Sequence, residues 1–471
     1  MNNKIDRFPE GFFWGGAISN AQAEGAIEEG NKGLSVYDHL EIDFELGQSE
    51  QDDPNIASKH YLQYEEDIEN MKTCGFNACR FSILWARIHP KGDELEPNKE
   101  GLAFYDKVID KMLACKIEPV VSLVHFDMPH HLFQKYNGFY SKEVSDFYEK
   151  NVRDIVEHFK GRVKYWITYN EMNTISGHSY LVGGSKKPND VDRNEFYHVL
   201  TLHSQLAHAK AVNAIKEIDP SAKVSGMIAY TPIEAKTSKP IDVLAAKIYN
   251  DFHYFITFDV MCNGEFPNYY KQYFKRRNIT YALNYQEQKM IKDASTKIDF
   301  LSFSYYQSRV IEAKDAKDQD AFIEKIIFDT PTSVSEYTSA NAWGWAIDPI
   351  GYRKALATLY ERYNLPLYVV ENGIGLADKL DENNEVHDEE RIAYHKEHIK
   401  NMRDAINYDG VEVLGYLMWS PFDFLSSHKE MRKRYGLVYI DNQSAKDQLP
   451  RIPKESFYWF QKMISQNGNN L

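Results

Sequence analysis

Eight times along this chain, a short β-favouring apolar run gives way to a longer amphipathic stretch. The apolar runs fall at residues 12–17, 77–84, 118–125, 165–170, 223–230, 298–304, 367–371 and 413–419. Stretches with helical periodicity lie at 61–74, 102–115, 142–159, 196–218, 241–258, 352–363, 389–406 and 454–464. Unbroken apolar runs of this length predict strands covered on both faces. Such strands, each followed by a helix, assemble a parallel sheet, and eight units close a ring. The predicted fold is therefore α/β, a (β/α)8 or TIM barrel running through residues 1–471 as one domain. No linker-like composition interrupts it. The length of 471 residues leaves room for long insertions after the strands, and 308–342 is the most polar of these. The acid-rich run 378–390 reads as carboxylates favouring the N-terminus of the helix that follows.

Two of the strands end alike. Leu367-Tyr368-Val369-Val370 runs into Glu371-Asn372-Gly373, and Lys164-Tyr165-Trp166-Ile167-Thr168-Tyr169 runs into Asn170-Glu171. In a parallel barrel the C-terminal strand ends carry the chemistry. Two carboxylates delivered to one rim are what glycosidic bond hydrolysis needs. Other polar or aromatic residues fall at the same end: Gln22 and Glu24 after strand one, Arg80 on strand two and His125 closing strand three. Tyr305 follows strand six and Trp419 closes strand eight. Each has an ordinary packing role when taken alone; their convergence does not.

Composition narrows the partners. A formal charge of −14 argues against nucleic acid or an anionic membrane. Aromatics make up 14% of the residues, which suits a carbohydrate cleft as well as a core. Residues 1–8 lack an apolar signal core, and no stretch reaches membrane-spanning length, so neither a signal peptide nor a membrane span is expected. Cys74, Cys79, Cys115 and Cys262 lack metal or redox spacing and read as buried thiols. These features point to the cytoplasm. The oligomeric state stays open, a homodimer included.

Four motifs then carry a resemblance. Phe8-Pro9-Glu10-Gly11-Phe12-Phe13-Trp14-Gly15 through Gln22-Ala23-Glu24-Gly25-Ala26, Arg80-Phe81-Ser82-Ile83-Leu84-Trp85-Ala86-Arg87-Ile88, Thr168-Tyr169-Asn170-Glu171-Met172 and Val370-Glu371-Asn372-Gly373 resemble signatures of glycoside hydrolase family one, the retaining β-glycosidases. Tyr169 and Met172 depart from the Phe and Pro usual there, and Ser304 from the usual Asn. The resemblance implies Glu371 as nucleophile, with Arg80 beside it and Tyr305 bonded to it, and Glu171 as general acid and then base. It implies Gln22, His125, Asn170 and Trp419 around the terminal sugar, and no metal or organic cofactor. A retaining pair requires carboxyl groups about 5–5.5 Å apart.

The stretch after strand eight departs further. Plain β-glucosidases of the family usually carry a sugar-binding Glu where this chain has Ser426. Ser426, Lys433 and Tyr435 resemble the phosphate-binding set of the 6-phospho-β-glycosidases. A hydroxyl, an ammonium and a phenol suit a dianion, and Lys429, Arg432, Lys433 and Arg434 make the loop basic. Ser427 replaces a Trp typical of the phosphogalactosidases. The resemblance thus implies hydrolysis of 6-phospho-β-D-glucosides, such as phosphorylated cellobiose or aryl glucosides. A galacto-specific or dual enzyme, an unphosphorylated β-glucosidase and a non-catalytic sugar-binding barrel are the alternatives.

Overall fold

The computed structural model describes residues 7–40, 51–314, 318–442, 448–469 and 471. Its main sheet contains β1 (Phe13–Ala17), β2 (Ala78–Ser82), β3 (Glu118–Ser122), β4 (Tyr165–Ile167), β5 (Lys223–Ser225), β6 (Met227–Ala229), β7 (Leu301–Ser304), β8 (Leu367–Glu371) and β9 (Val413–Met418). All pairings are parallel, in the order β5-β4-β3-β2-β1-β9-β8-β7-β6. Only Gly226 separates β5, which pairs with β4, from β6, which pairs with β7. They are two halves of one pass, so the ring closes as an eight-position barrel. Strand residues are buried almost throughout, as the unbroken apolar runs require.

Helices His60–Cys74, Lys99–Ala114, Val144–Phe159, Arg193–Ile218, Pro349–Tyr363, Glu389–Tyr408 and Glu455–Ser465 cover the sheet. The run predicted at 241–258 is divided into Pro240–Asn250, a π-helical turn Asp251–Phe255 and Ile256–Asn263. The polar insertion at 308–342 carries structure of its own. Strand Arg309–Ile311 joins Ile233–Ala235 and Thr332–Ser333, helix Gln319–Phe328 follows it, and Ser339–Ala340 pairs with Ala346–Ile347 in a hairpin.

The two barrel ends differ in chemistry. Phe13, Tyr165, Phe300 and Tyr368, at or near strand starts, meet with ring centroids 5.5–6.4 Å apart. This aromatic plug fills the N-terminal end with apolar area. The C-terminal end is left to polar groups and to a cavity.

Candidate active site

Glu371 is the last residue of β8 and is 3% exposed. Arg80 on β2 is fully buried, and its Nη1 donates to Glu371 Oε1 at 2.5 Å. The same guanidinium reaches Ser122 Oγ at 2.8 Å and Asn170 Oδ1 at 2.6 Å, tying together the ends of four strands. Glu371 Oε2 accepts from Tyr306 at 2.9 Å.

The tyrosine therefore differs from the one expected. Tyr305 donates to the Asp348 carbonyl instead and packs against the Tyr352 ring. Successive residues of an extended chain point to opposite faces. Tyr305 thus enters the layer between sheet and helices, and Tyr306 enters the barrel mouth. Asn372 locks this junction: its amide donates to Tyr305 O and Tyr394 Oη and accepts from Tyr416 Oη at 2.5 Å. Gly373 is required beside it, because a Cβ there would sit 2.2 Å from the Trp419 carbonyl oxygen.

Glu171 follows β4 with left-handed backbone, φ 45°. A non-glycine residue adopts that conformation at a cost of about 1–3 kcal/mol, and such strain is concentrated at functional sites. Its carbonyl accepts from Thr174 N and Oγ1, and its carboxyl accepts from Ser304 Oγ at 2.7 Å. Burial, reinforced by the charge of Glu371, pushes the Glu171 carboxyl up to about 7. Burial also raises Glu371, but Arg80 and Tyr306 donate directly to it and oppose the rise. Of the two, Glu371 is built to hold charge and Glu171 to hold a proton. The departure at Tyr169 has a local reason: its hydroxyl donates to Val182 O at 2.5 Å, a bond Phe could not make.

Both carboxylates face one cavity of about 610 Å³, together with Gln22, His125, Trp419, Ser426, Lys433 and Tyr435. Three buried polar atoms lack a partner among the described residues: Gln22 Oε1 and His125 Nδ1 on the lining, and Nδ2 of Asn170, which shares the Arg80 guanidinium with Glu371. Buried polar atoms are nearly always bonded, so such orphans need an explanation. Sugar hydroxyls can serve all three. Burial first, then Arg80, holds His125 well below its usual range, so it is neutral. Glu24 is not part of this set, since it is buried against Arg87 and Tyr105.

The loop after β9 sorts its cations. Lys429 caps the carbonyls of Asp38 and Leu40, Arg432 pairs with Glu430, and Arg434 pairs with Asp423. Lys433 is 5% exposed, yet among the described residues no carboxylate or carbonyl bonds its ammonium. It lies 3.8 Å over the ring of Trp345, at the turn of the 339–347 hairpin. Ser426 Oγ accepts from the amides of His428 and Glu430, which leaves its proton to donate. Beneath the loop, Asp423 also accepts from Lys454, and Asp378 from Lys454 and Arg391. Asp378 of the acid-rich run is thus part of a buried ionic frame.

The sequence matches the glycosyl hydrolase family 1 profile over residues 4–469. The chain belongs to that family. Aryl-phospho-β-D-glucosidase BglH of Bacillus subtilis is 38% identical, with all of both chains covered. The 6-phospho-β-glucosidase of Dickeya chrysanthemi is 37% identical over 98% of this chain and 99% of its own. Among solved structures, a family 1 β-glucosidase from Thermotoga maritima superposes with a TM-score of 0.84 at 30% identity, covering 99% of each chain.

Within this family 1 fold, two groups at the site escaped the sequence reading, Tyr306 and Trp345, and Ser304 stood out there only as a departure whose contact with Glu171 the structure supplies. Strand alternation could have separated Tyr306 from Tyr305. Trp345 comes from an insertion whose path no local pattern fixes. Gly375 adds a testable contact, since a Cβ there would lie 2.9 Å from Lys433 Cγ and 3.1 Å from Tyr435 Cζ. Gly375→Ala should shift both side chains by tenths of an ångström. It should lower kcat/KM on a 6-phosphorylated glucoside about tenfold or more, while sparing the unphosphorylated one. Parallel kinetics on the two substrates check this.

Proposed function

We propose that this chain hydrolyses 6-phospho-β-D-glucosides to glucose 6-phosphate and the free aglycone, with retention at the anomeric carbon. Glu371 attacks that carbon as the bond to the aglycone oxygen breaks, and Glu171 gives its proton to the departing oxygen. Glu171, now ionised, then takes a proton from water. The water oxygen attacks the anomeric carbon and releases Glu371. Arg80 and Tyr306 hold Glu371 charged and aimed. Gln22, His125, Asn170 and Trp419 surround the sugar, and Asn170 Nδ2 is the donor for its 2-hydroxyl. No metal or organic cofactor takes part in these steps.

The observation that carries the phosphate assignment is Lys433. Burial is costly for an ammonium that no carboxylate or carbonyl bonds; Glu430 opposes that cost only through space, and a dianion on O6 would supply a direct partner. Ser426 offers a hydroxyl donor and Tyr435 a phenol on the same wall. Support also comes from relatives: two named above are phospho-β-glucosidases, and the phospho-cellobiase of Klebsiella oxytoca is 36% identical. Phosphorylated sugars arise inside cells from uptake systems that phosphorylate their cargo, so the cytoplasm is the proposed place of action. No helix among the described residues is long and apolar enough to cross a membrane.

The test compares nitrophenyl β-glucoside, β-galactoside and their 6-phosphates. The phosphoglucoside should be cleaved fastest. Faster cleavage of the unphosphorylated glucoside would overturn the reading, and faster cleavage of the phosphogalactoside would move it to the galacto series.

A pH signature follows from the same group. Burial pushes the Lys433 ammonium down to about 8. It is charged below that value and neutral above it, whereas a sugar phosphate is dianionic above about 6. The ratio of kcat/KM for phosphorylated over unphosphorylated glucoside should therefore fall as pH rises past about 8. Taking the ratio cancels the titration of Glu171, which both substrates need.

A further inference from the structure

Ser304 ends β7 and is 1% exposed. Its backbone is committed to the barrel, paired in register with Ala229 on one side and Glu371 on the other, and its carbonyl accepts from Tyr230 N at 3.0 Å. The hydroxyl is the one group it can lend. That hydroxyl donates to Glu171 Oε1 at 2.7 Å, the only hydrogen bond to this carboxyl among the described residues. Thr174, the nearest alternative, bonds the Glu171 carbonyl instead. Arg80 is occupied by Glu371, Ser122 and Asn170.

We propose that Ser304 is the positioning residue of the acid/base: it holds Glu171 by donating to Oε1, so that the transferable proton rides on Oε2. The proposal rests on the assignment of Glu171 given above. It answers a mechanical need, because Glu171 serves once protonated and once ionised, and a partner that fits only one state would let the side chain swing in the other. Donation to Oε1 persists through both. It is stronger to the carboxylate than to the neutral acid, so it also favours the ionised form that must activate water. Without it, burial and the charge of Glu371 act unopposed by any hydrogen bond, and the carboxyl becomes reluctant to ionise.

The test uses the full chain, the alkaline limb of kcat/KM on an aryl 6-phosphoglucoside with a poor leaving group, and kcat on one with a good leaving group. The limb should move up by about one pH unit in Ser304→Ala, since a charged hydrogen bond outweighs a neutral one by about that much. Ser304→Cys, nearly isosteric and a weaker donor, should move it the same way, and Ser304→Thr should restore it. On the good leaving group, where release of the glycosyl ester limits turnover, kcat in Ser304→Ala should drop about tenfold. An unmoved limb in folded Ser304→Ala or Ser304→Cys would overturn the proposal. Glu171→Gln separates the two levels: it should abolish the limb. A limb that survives there refutes the acid/base assignment itself, whereas a limb lost there but unmoved in both Ser304 variants refutes only the role of Ser304.

Discussion

Glu371→Gln is expected to lower kcat on a phosphorylated aryl glucoside by about 10⁴–10⁶-fold, the scale on which loss of a covalent nucleophile is felt. The amide keeps the shape and can still accept from Arg80 and Tyr306, but it cannot form the glycosyl ester. A slowly released 2-deoxy-2-fluoro 6-phosphoglucoside should label the wild-type chain on the peptide containing Glu371 and leave the variant unlabelled. Label on a different residue would refute the assignment. Arg80 is fully buried and would lose its counter-charge. Breaking such a pair costs about 3–5 kcal/mol, so a thermal melt belongs beside the kinetics. A merely unstable protein would recover activity on cooling, and the variant should not.

Ser426→Glu should have the next largest effect, and a selective one. The new carboxylate would stand at a position 4% exposed, on the cavity wall that also carries Lys433 and Tyr435. There it would neutralise the ammonium and face the sugar phosphate. Juxtaposing like charges costs several kcal/mol, so kcat/KM on the phosphoglucoside should fall by about 10³-fold. The unphosphorylated glucoside should be unaffected or gain, because a carboxylate can accept from its free 6-hydroxyl. Equal losses on both substrates would indicate collapse of the loop and count against a phosphate role for this wall.

The barrel was legible because its strands are buried on both faces, and burial of that kind leaves no choice of residue. The run Leu367-Tyr368-Val369-Val370 could only be interior, and the carboxylate that ends it stands out by contrast. Break points were less legible. Nothing apolar distinguishes the halves of 223–230, yet the sheet divides them at Gly226 to close the ring. The basic loop shows the limit more sharply. By sequence Lys429, Arg432, Lys433 and Arg434 are alike, and their fates depend on Asp38, Leu40, Glu430 and Asp423, the last two within twelve residues and the first two nearly four hundred residues away.

By itself the sequence determined the parallel barrel and the pair of acidic strand ends, because hydrophobic periodicity and residue type are local properties. Only the tertiary structure decided which tyrosine meets Glu371, which serine meets Glu171 and which lysine is left with neither a carboxylate nor a carbonyl bonded to it. Each of those choices is a contact between chain segments far apart in sequence, and its outcome is set by side-chain direction and by competition among neighbours that share no local pattern.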